Sequence, residues 1–194
     1  MSDPALEAHD HAEHAEHAAH ENNPFVSLVS ITIALLAVIA AITGSLETVE
    51  DGRAIIEANK AVLAQDQATD QWDFYQAKSL KKHMYTIASQ AGGPYADKDA
   101  AIAKKEGQDA DGVQQEAKKL EAERETLLGE SRAHESRHHR LSLGATLLEI
   151  GIAIATIAII TRHRITWALS GVLGIAGAAV ALLAYAPAGL IPWF

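Results

Sequence analysis

The sharpest chemical pattern in the chain is His134-Glu135-Ser136-Arg137-His138, two histidines four residues apart with a glutamate directly after the first. On a helix, this H-E-x-x-H spacing turns both imidazoles to one side and leaves the glutamate free to activate a metal-bound water, as in zinc hydrolases. The surroundings do not complete such a centre. A catalytic zinc needs a third protein ligand, and the positions that would extend the pattern hold Leu141 and Gly144 in place of glycine and histidine. Glu149 comes eleven residues after His138, about 16 Å along a helix axis, too far to close the same shell. His134 and His138 therefore stand as a candidate non-catalytic metal pair, against the plainer reading of a solvated His/Arg cluster at an interface.

A second constellation occupies the N-terminal residues 1–24, where His9, His11, His14, His17 and His20 interleave with Glu7, Glu13, Glu16 and Glu21. Imidazoles three apart drift by about 60° per step around a helix, so successive pairs can chelate a divalent transition metal although all five cannot converge on one ion. The competing reading is an exposed low-complexity tail. Glu149 is the third feature. It is the one acid inside a long apolar run, where ionisable groups mark either a path for ions or a hydrogen-bonded packing contact. Thr146, Ser27 and Ser30 are the candidate partners for the packing role. No second ionisable residue lies in any apolar run to pass a proton on, which favours structure over transport.

Nothing else in the sequence suggests catalysis. There is no nucleophile elbow, phosphate loop or dinucleotide fingerprint, and the absence of cysteine removes thiolate chemistry and disulfides. The expectation is a protein that is not an enzyme and carries no certain cofactor. The net charge of -9 argues against nucleic acid as a partner.

The elements that carry these residues follow from hydropathy. Residues 25–43, 141–161 and 165–185 are nearly uninterrupted apolar runs close to the roughly 20 residues that a helix needs to cross a bilayer. The reading is an all-α, three-pass membrane protein whose first partner is the lipid bilayer. Residues 1–24 contain no Lys or Arg, so they lack the basic start of a cleaved signal and 25–43 reads as a permanent anchor. Residues 186–194, with Pro187, Pro192, Trp193 and Phe194, suit the interface between bilayer and water.

Between the first two runs, residues 44–140 hold 14 basic and 18 acidic side chains and one strong break, Gly92-Gly93-Pro94. The arms on either side are of nearly equal length, which predicts a long antiparallel helical hairpin, a coiled-coil-like stalk, with its turn at 92–94. Val49, Ile56 and Leu63 on the first arm and Val113, Leu120 and Leu127 on the second recur at seven-residue spacing and are expected to form its seam. Folding about the turn sets Trp72, Phe74 and Tyr75 against residues 112–115 as an aromatic core, and Leu80 against Gly107. So thin a seam predicts self-association, as a dimer or higher oligomer, or membership of a larger membrane complex. Gly151 and Ala155, with Ser170, Gly174 and Ala178, give the last two runs a close-packing face.

The segment Asp70-Gln71-Trp72-Asp73-Phe74-Tyr75-Gln76-Ala77-Lys78, followed by Lys81-Lys82-His83-Met84-Tyr85, resembles the signature of a bacterial membrane-protein family catalogued as a domain of unknown function, family 4337. Ser45-Leu46-Glu47-Thr48-Val49-Glu50 and Glu57-Ala58-Asn59-Lys60 resemble its upstream block. The resemblance implies a bacterial inner-membrane protein and carries no functional residues with it. Orientation is read from basic residues near the membrane: Arg53, Lys60, Arg124, Arg132, Arg137 and Arg140 flank the hairpin, against Arg162 and Arg164 on the other side. That balance predicts a cytoplasmic stalk and a periplasmic N-terminus. The functional expectation is a homo-oligomeric membrane scaffold or association protein, with a channel or transporter component using Glu149, or metal binding through the tail, as the alternatives.

Overall fold

A computed structural model of the protein describes residues 24–186, and the tail histidines His9, His11, His14, His17 and His20, like Pro192, Trp193 and Phe194, lie outside them. Three helices account for nearly all of the described chain: α1 (Pro24–Gln90), α2 (Ala96–Thr161) and α3 (Arg164–Leu183). All three contain windows long and apolar enough to cross a membrane. The ends of α1 differ in chemistry. Pro24 starts it, where a missing N–H costs nothing and φ is already helical. At its other end Gly92 and Gly93 take φ of 78° and 111°, left-handed values that a side chain opposes and glycine does not. The turn expected at Gly92-Gly93-Pro94 is where the chain reverses, and α2 then opens with Asp97 and Asp99 in its first turn, favourable to the helix dipole.

Two compact units form. One comprises the chain through Ala54 together with the part from Ala133 on; the other is Ile55–Arg132. In the first, Val29, Ile33, Leu36 and Ala37 of α1 meet Leu148, Ile152, Ala155 and Ala158 of α2 in one buried cluster, with Phe25 and Trp167 packed against it. Trp167 also donates its indole N–H to Thr32 Oγ1 at 3.1 Å and meets Phe25 edge to face, tying α3 to α1. The helices α2 and α3 meet through glycine. A methyl group at Gly177 would lie 2.8 Å from the Gly144 carbonyl oxygen, and one at Gly144 would lie 2.9 Å from that of Gly177, so neither helix tolerates a side chain there. Gly151 packs on Ser170 and Gly174, as the spacing of small residues suggests, while Gly177 rather than Ala178 completes the face. The third helix begins at Arg164 and ends at Leu183, slightly ahead of the boundaries 165–185 read from hydropathy.

The second unit corrects the expected seam. Its buried apolar residues are Ala61, Ala64 and Ala68 on α1 and Ala103, Ala110 and Ala117 on α2, with Ala61 and Ala68, and again Ala103, Ala110 and Ala117, seven residues apart. Ile56 and Leu63 are instead more than half exposed, as nearly is Val49 in the other unit. Val113, Leu120 and Leu127 are only half-buried, flanking the alanines. Alanine wins the inner face because it lets two helices approach closely without side-chain ordering entropy, and large side chains are displaced outward.

The aromatic core is corrected as well. Phe74 is half exposed, and Trp72 and Tyr75 are half-buried and packed on each other edge to face at 5.6 Å. Gly107 faces the methylene stem of Lys82, not Leu80, which is exposed. Polar pairs fix how the arms align: Trp72 Nε1 donates to Glu121 Oε1 at 2.9 Å, Lys78 Nζ reaches Glu106 Oε2 and Asp109 Oδ2 at 3.0 Å each, and Lys81 pairs with Glu106. Lys78 also lies over the Phe74 ring, 5.6 Å from its centroid.

Candidate functional site

Glu50 is the most unusual residue of the first unit. It lies seven residues after Thr43 on the face of α1 that meets α2, and only 2% of its surface is exposed. A buried carboxylate needs charged or polar company. Here α2 supplies it: His134 Nδ1 approaches Oε2 at 2.6 Å, Arg137 Nη1 approaches the same oxygen at 3.3 Å, and the Tyr185 hydroxyl beyond α3 reaches Oε1 at 3.4 Å. Arg53, one turn along α1, adds its guanidinium at 3.8 Å. Three segments distant in sequence thus converge on one carboxylate.

Burial acts most strongly on Glu50 and opposes its ionisation. The His134 hydrogen bond, the Arg137 and His134 charges and the Arg137 hydrogen bond together outweigh it and hold the carboxyl below its ordinary value. Glu50 is therefore the acceptor, and His134 donates from Nδ1. Its ring then cannot offer that nitrogen to a metal, because the lone pair is replaced by the donated proton.

His138 faces a different partner, Glu47, whose Oε1 lies 3.9 Å from Nδ1. The two imidazoles of the H-E-x-x-H pattern are thus each directed at a glutamate of α1, and Glu135 is paired loosely with His139 at 4.0 Å. Among the described residues no group of three or more His, Cys, Asp or Glu is arranged to hold a metal ion. What the arrangement does chemically is fasten α1 to α2 through charge-assisted hydrogen bonds. Sequence reasoning passed over Glu50 and Tyr185. The signal available was Glu50 itself, an acid in phase with Thr43 on the inward face of a helix.

Glu149 lies on the outer side of α2. Its neighbours Leu148, Gly151 and Ile152 point inward, whereas Glu149 and Ile150 are exposed. Thr146 donates to the Ser142 carbonyl at 2.9 Å, and Ser30 is buried on the core face of α1. Thr156 likewise donates to the Ile152 carbonyl at 3.0 Å, so both of these threonine hydroxyls bond to their own helix. A separate pocket of about 430 Å³ is lined by Pro24, Phe25, Leu28, Arg164 and Trp167. It offers one cation and apolar walls, with no nucleophile and no acid or base to run a reaction.

In the second unit Glu106 is the buried acid, 6% exposed. Hydrogen bonds from Lys81 and then Lys78 hold its carboxyl below the ordinary value, and Asp109 and Glu106 hold the Lys78 ammonium above its own. The pairing is intramolecular and structural.

No curated protein and no solved structure matches the chain. The family model described as Domain of unknown function (DUF4337) matches residues 25–187. That match takes in all three helices and both of the buried acids, Glu50 and Glu106, and the chain belongs to this family.

Proposed function

We propose that this protein is a homo-oligomeric scaffold of the bacterial inner membrane, with three membrane-crossing helices, the hairpin in the cytoplasm and the N-terminus in the periplasm. The observation that carries the reading is the inversion of the hairpin. Alanine occupies the inside of the second unit, while Ile55, Ile56, Val62, Leu63, Leu80, Met84 and Ile87 lie outside, each more than half exposed. An alanine seam buries little apolar surface for so long a pair of arms, and the larger side chains are left in water unless another chain covers them. Gentle extraction followed by mass measurement at decreasing concentration tests it: several copies per particle are expected, and a stable monomer with full helix content would refute it.

The second reading is ion or proton transport, and one observation favours it: a carboxyl, Glu149, exposed on the flank of an apolar helix. Against it, Thr146 and Thr156 turn their hydroxyls back to their own helix and offer no continuous polar face. Replacing Glu149 with Gln or Leu separates the readings. In a scaffold, Gln keeps assembly and stability while Leu costs about 0.6–2 kcal/mol. In a transporter, Gln abolishes flux in reconstituted vesicles and leaves the oligomer intact.

A further inference from the structure

The first turns of α1 and α3 meet around the pocket of about 430 Å³ lined by Pro24, Phe25, Leu28, Arg164 and Trp167. Its aromatic walls are held from within the first unit. Trp167 is half-buried, donates its indole N–H to Thr32 Oγ1 at 3.1 Å and meets Phe25 edge to face with ring centroids 6.5 Å apart. Both rings are therefore fixed before anything enters, which lowers the ordering cost of binding.

The polar side of the pocket is of one sign. Arg164 is exposed and takes no part in an ion pair or side-chain hydrogen bond among the described residues. None of the lining residues is acidic, and no acid follows Glu149 in the chain. The chain reaches Arg164 from α2 by a reversal of two residues, in which Arg162 takes φ of 52°, a left-handed value that glycine adopts with less strain. Arg162, His163 and Arg164 thus follow one another at a turn where glycine would be the easier backbone.

Apolar walls joined to one uncompensated cation match an amphiphile with an anionic head. The membrane-crossing helices proposed above put the first turns of α1 and α3 at the boundary between hydrocarbon and water. Resting on that reading, we propose that this pocket binds one anionic phospholipid, with its phosphate on Arg164 and the start of an acyl chain along Phe25, Leu28 and Trp167. A guanidinium receives a phosphate through two parallel N–H donors, and a tryptophan suits such a boundary because its ring is amphipathic. A free phosphate would use Arg164 and leave the apolar walls wet, whereas bulk hydrocarbon would leave the cation unmatched. A zwitterionic head would bring an ammonium for which the lining residues offer no carboxylate. The site therefore favours phosphatidylglycerol over phosphatidylethanolamine.

Full-length protein, delipidated in mild detergent, is titrated with each of these two lipids carrying the same acyl chains, and bound lipid is counted by native mass spectrometry. The variants are Arg164→Gln and, as a control, Arg140→Gln, which removes a cation beside the other end of the apolar run of α2. The wild type and Arg140→Gln are expected to bind phosphatidylglycerol about tenfold more tightly than phosphatidylethanolamine, and Arg164→Gln to lose that preference. A large excess of inorganic phosphate is expected to leave the lipid bound. Equal affinity of the wild type for the two lipids, a preference unchanged in Arg164→Gln, or displacement of the lipid by phosphate would each overturn the site. Flotation with phospholipid vesicles tests the underlying reading separately. A wild type that does not float would overturn the membrane-crossing helices and the site with them, whereas one that floats but shows no lipid preference loses only the site.

Discussion

In the first unit α2 and α3 close on each other through Gly144 and Gly177, carbonyl to Cα, and the large residues Leu148, Ile152 and Leu36 fill the space beside them. In the second unit alanine takes the inner face, and the large residues lie outside. Both units leave apolar side chains exposed, but the consequence differs with the surroundings. Where the outside is hydrocarbon, as proposed for the first unit, Ile31, Leu35 and Val38 need no protein to cover them. Where it is water, Ile55, Ile56, Val62 and Leu63 do. Exposure has to be read with its solvent, and it is the hairpin whose surface is incomplete.

The two units also use buried acids differently. Glu50 binds elements of α1, α2 and the chain after α3 together, whereas Glu106 aligns two arms through lysines that remain partly in water. Removal of the first should therefore be the more damaging. Glu50→Ala is expected to destabilise the protein by about 3 kcal/mol, at the low end for breaking a buried pair because Arg137 can return to solvent. Thermal unfolding followed by circular dichroism checks this, and a loss no larger than that of Glu106→Ala would erase the distinction.

Next in size are the close contacts. Gly177→Ala and Ala110→Leu each force a group into a filled interface and should cost about 1–3 kcal/mol. Chemical denaturation read separately from reporters in each unit should place the first loss in the apolar helices and the second in the hairpin.

A smaller effect is expected from acid. Because the Glu50 carboxyl is held below its ordinary value of 4.5, its contribution is present above that pH and is lost as the pH falls through the lowered value. The wild type should lose stability below about pH 4.5 by more than Glu50→Gln does, as measured by melting temperature against pH. Equal acid sensitivity would show that the charge of Glu50 is not what holds the cluster.

The smallest intramolecular effect belongs to Gly52→Ala. With nothing within 4 Å of the added methyl, the isolated chain should gain up to about 1 kcal/mol of helix stability. Thermal unfolding followed by circular dichroism checks this, and a loss of stability would show that the position does not tolerate a methyl group.

Much of the fold was legible in the sequence because its signals are local. Three apolar runs and a Gly-Gly-Pro break fix three helices and one reversal, since each depends on composition or on a single backbone conformation. The inner and outer faces of the hairpin were not legible by the same means. Hydrophobic periodicity ranks Val49, Ile56 and Leu63 above alanine, yet close helix approach rewards small residues, and only coordinates show which of two seven-residue repeats turns inward. The site was half legible. His134 stood out as chemistry, but its partner Glu50 lies 84 residues away in the chain, and spacing carries no information about such a pairing.

The most direct test of the central claim is the mass of the particle in a lipid environment, for the wild type and for the double variant Ile56→Asp/Leu63→Asp. Both positions are exposed in the single chain, so charge there should leave its helix content unchanged. The account predicts several copies per particle for the wild type and one for the variant, with equal helicity and equal membrane insertion. A wild type that is a single chain, or a variant that assembles as the wild type does, would contradict it.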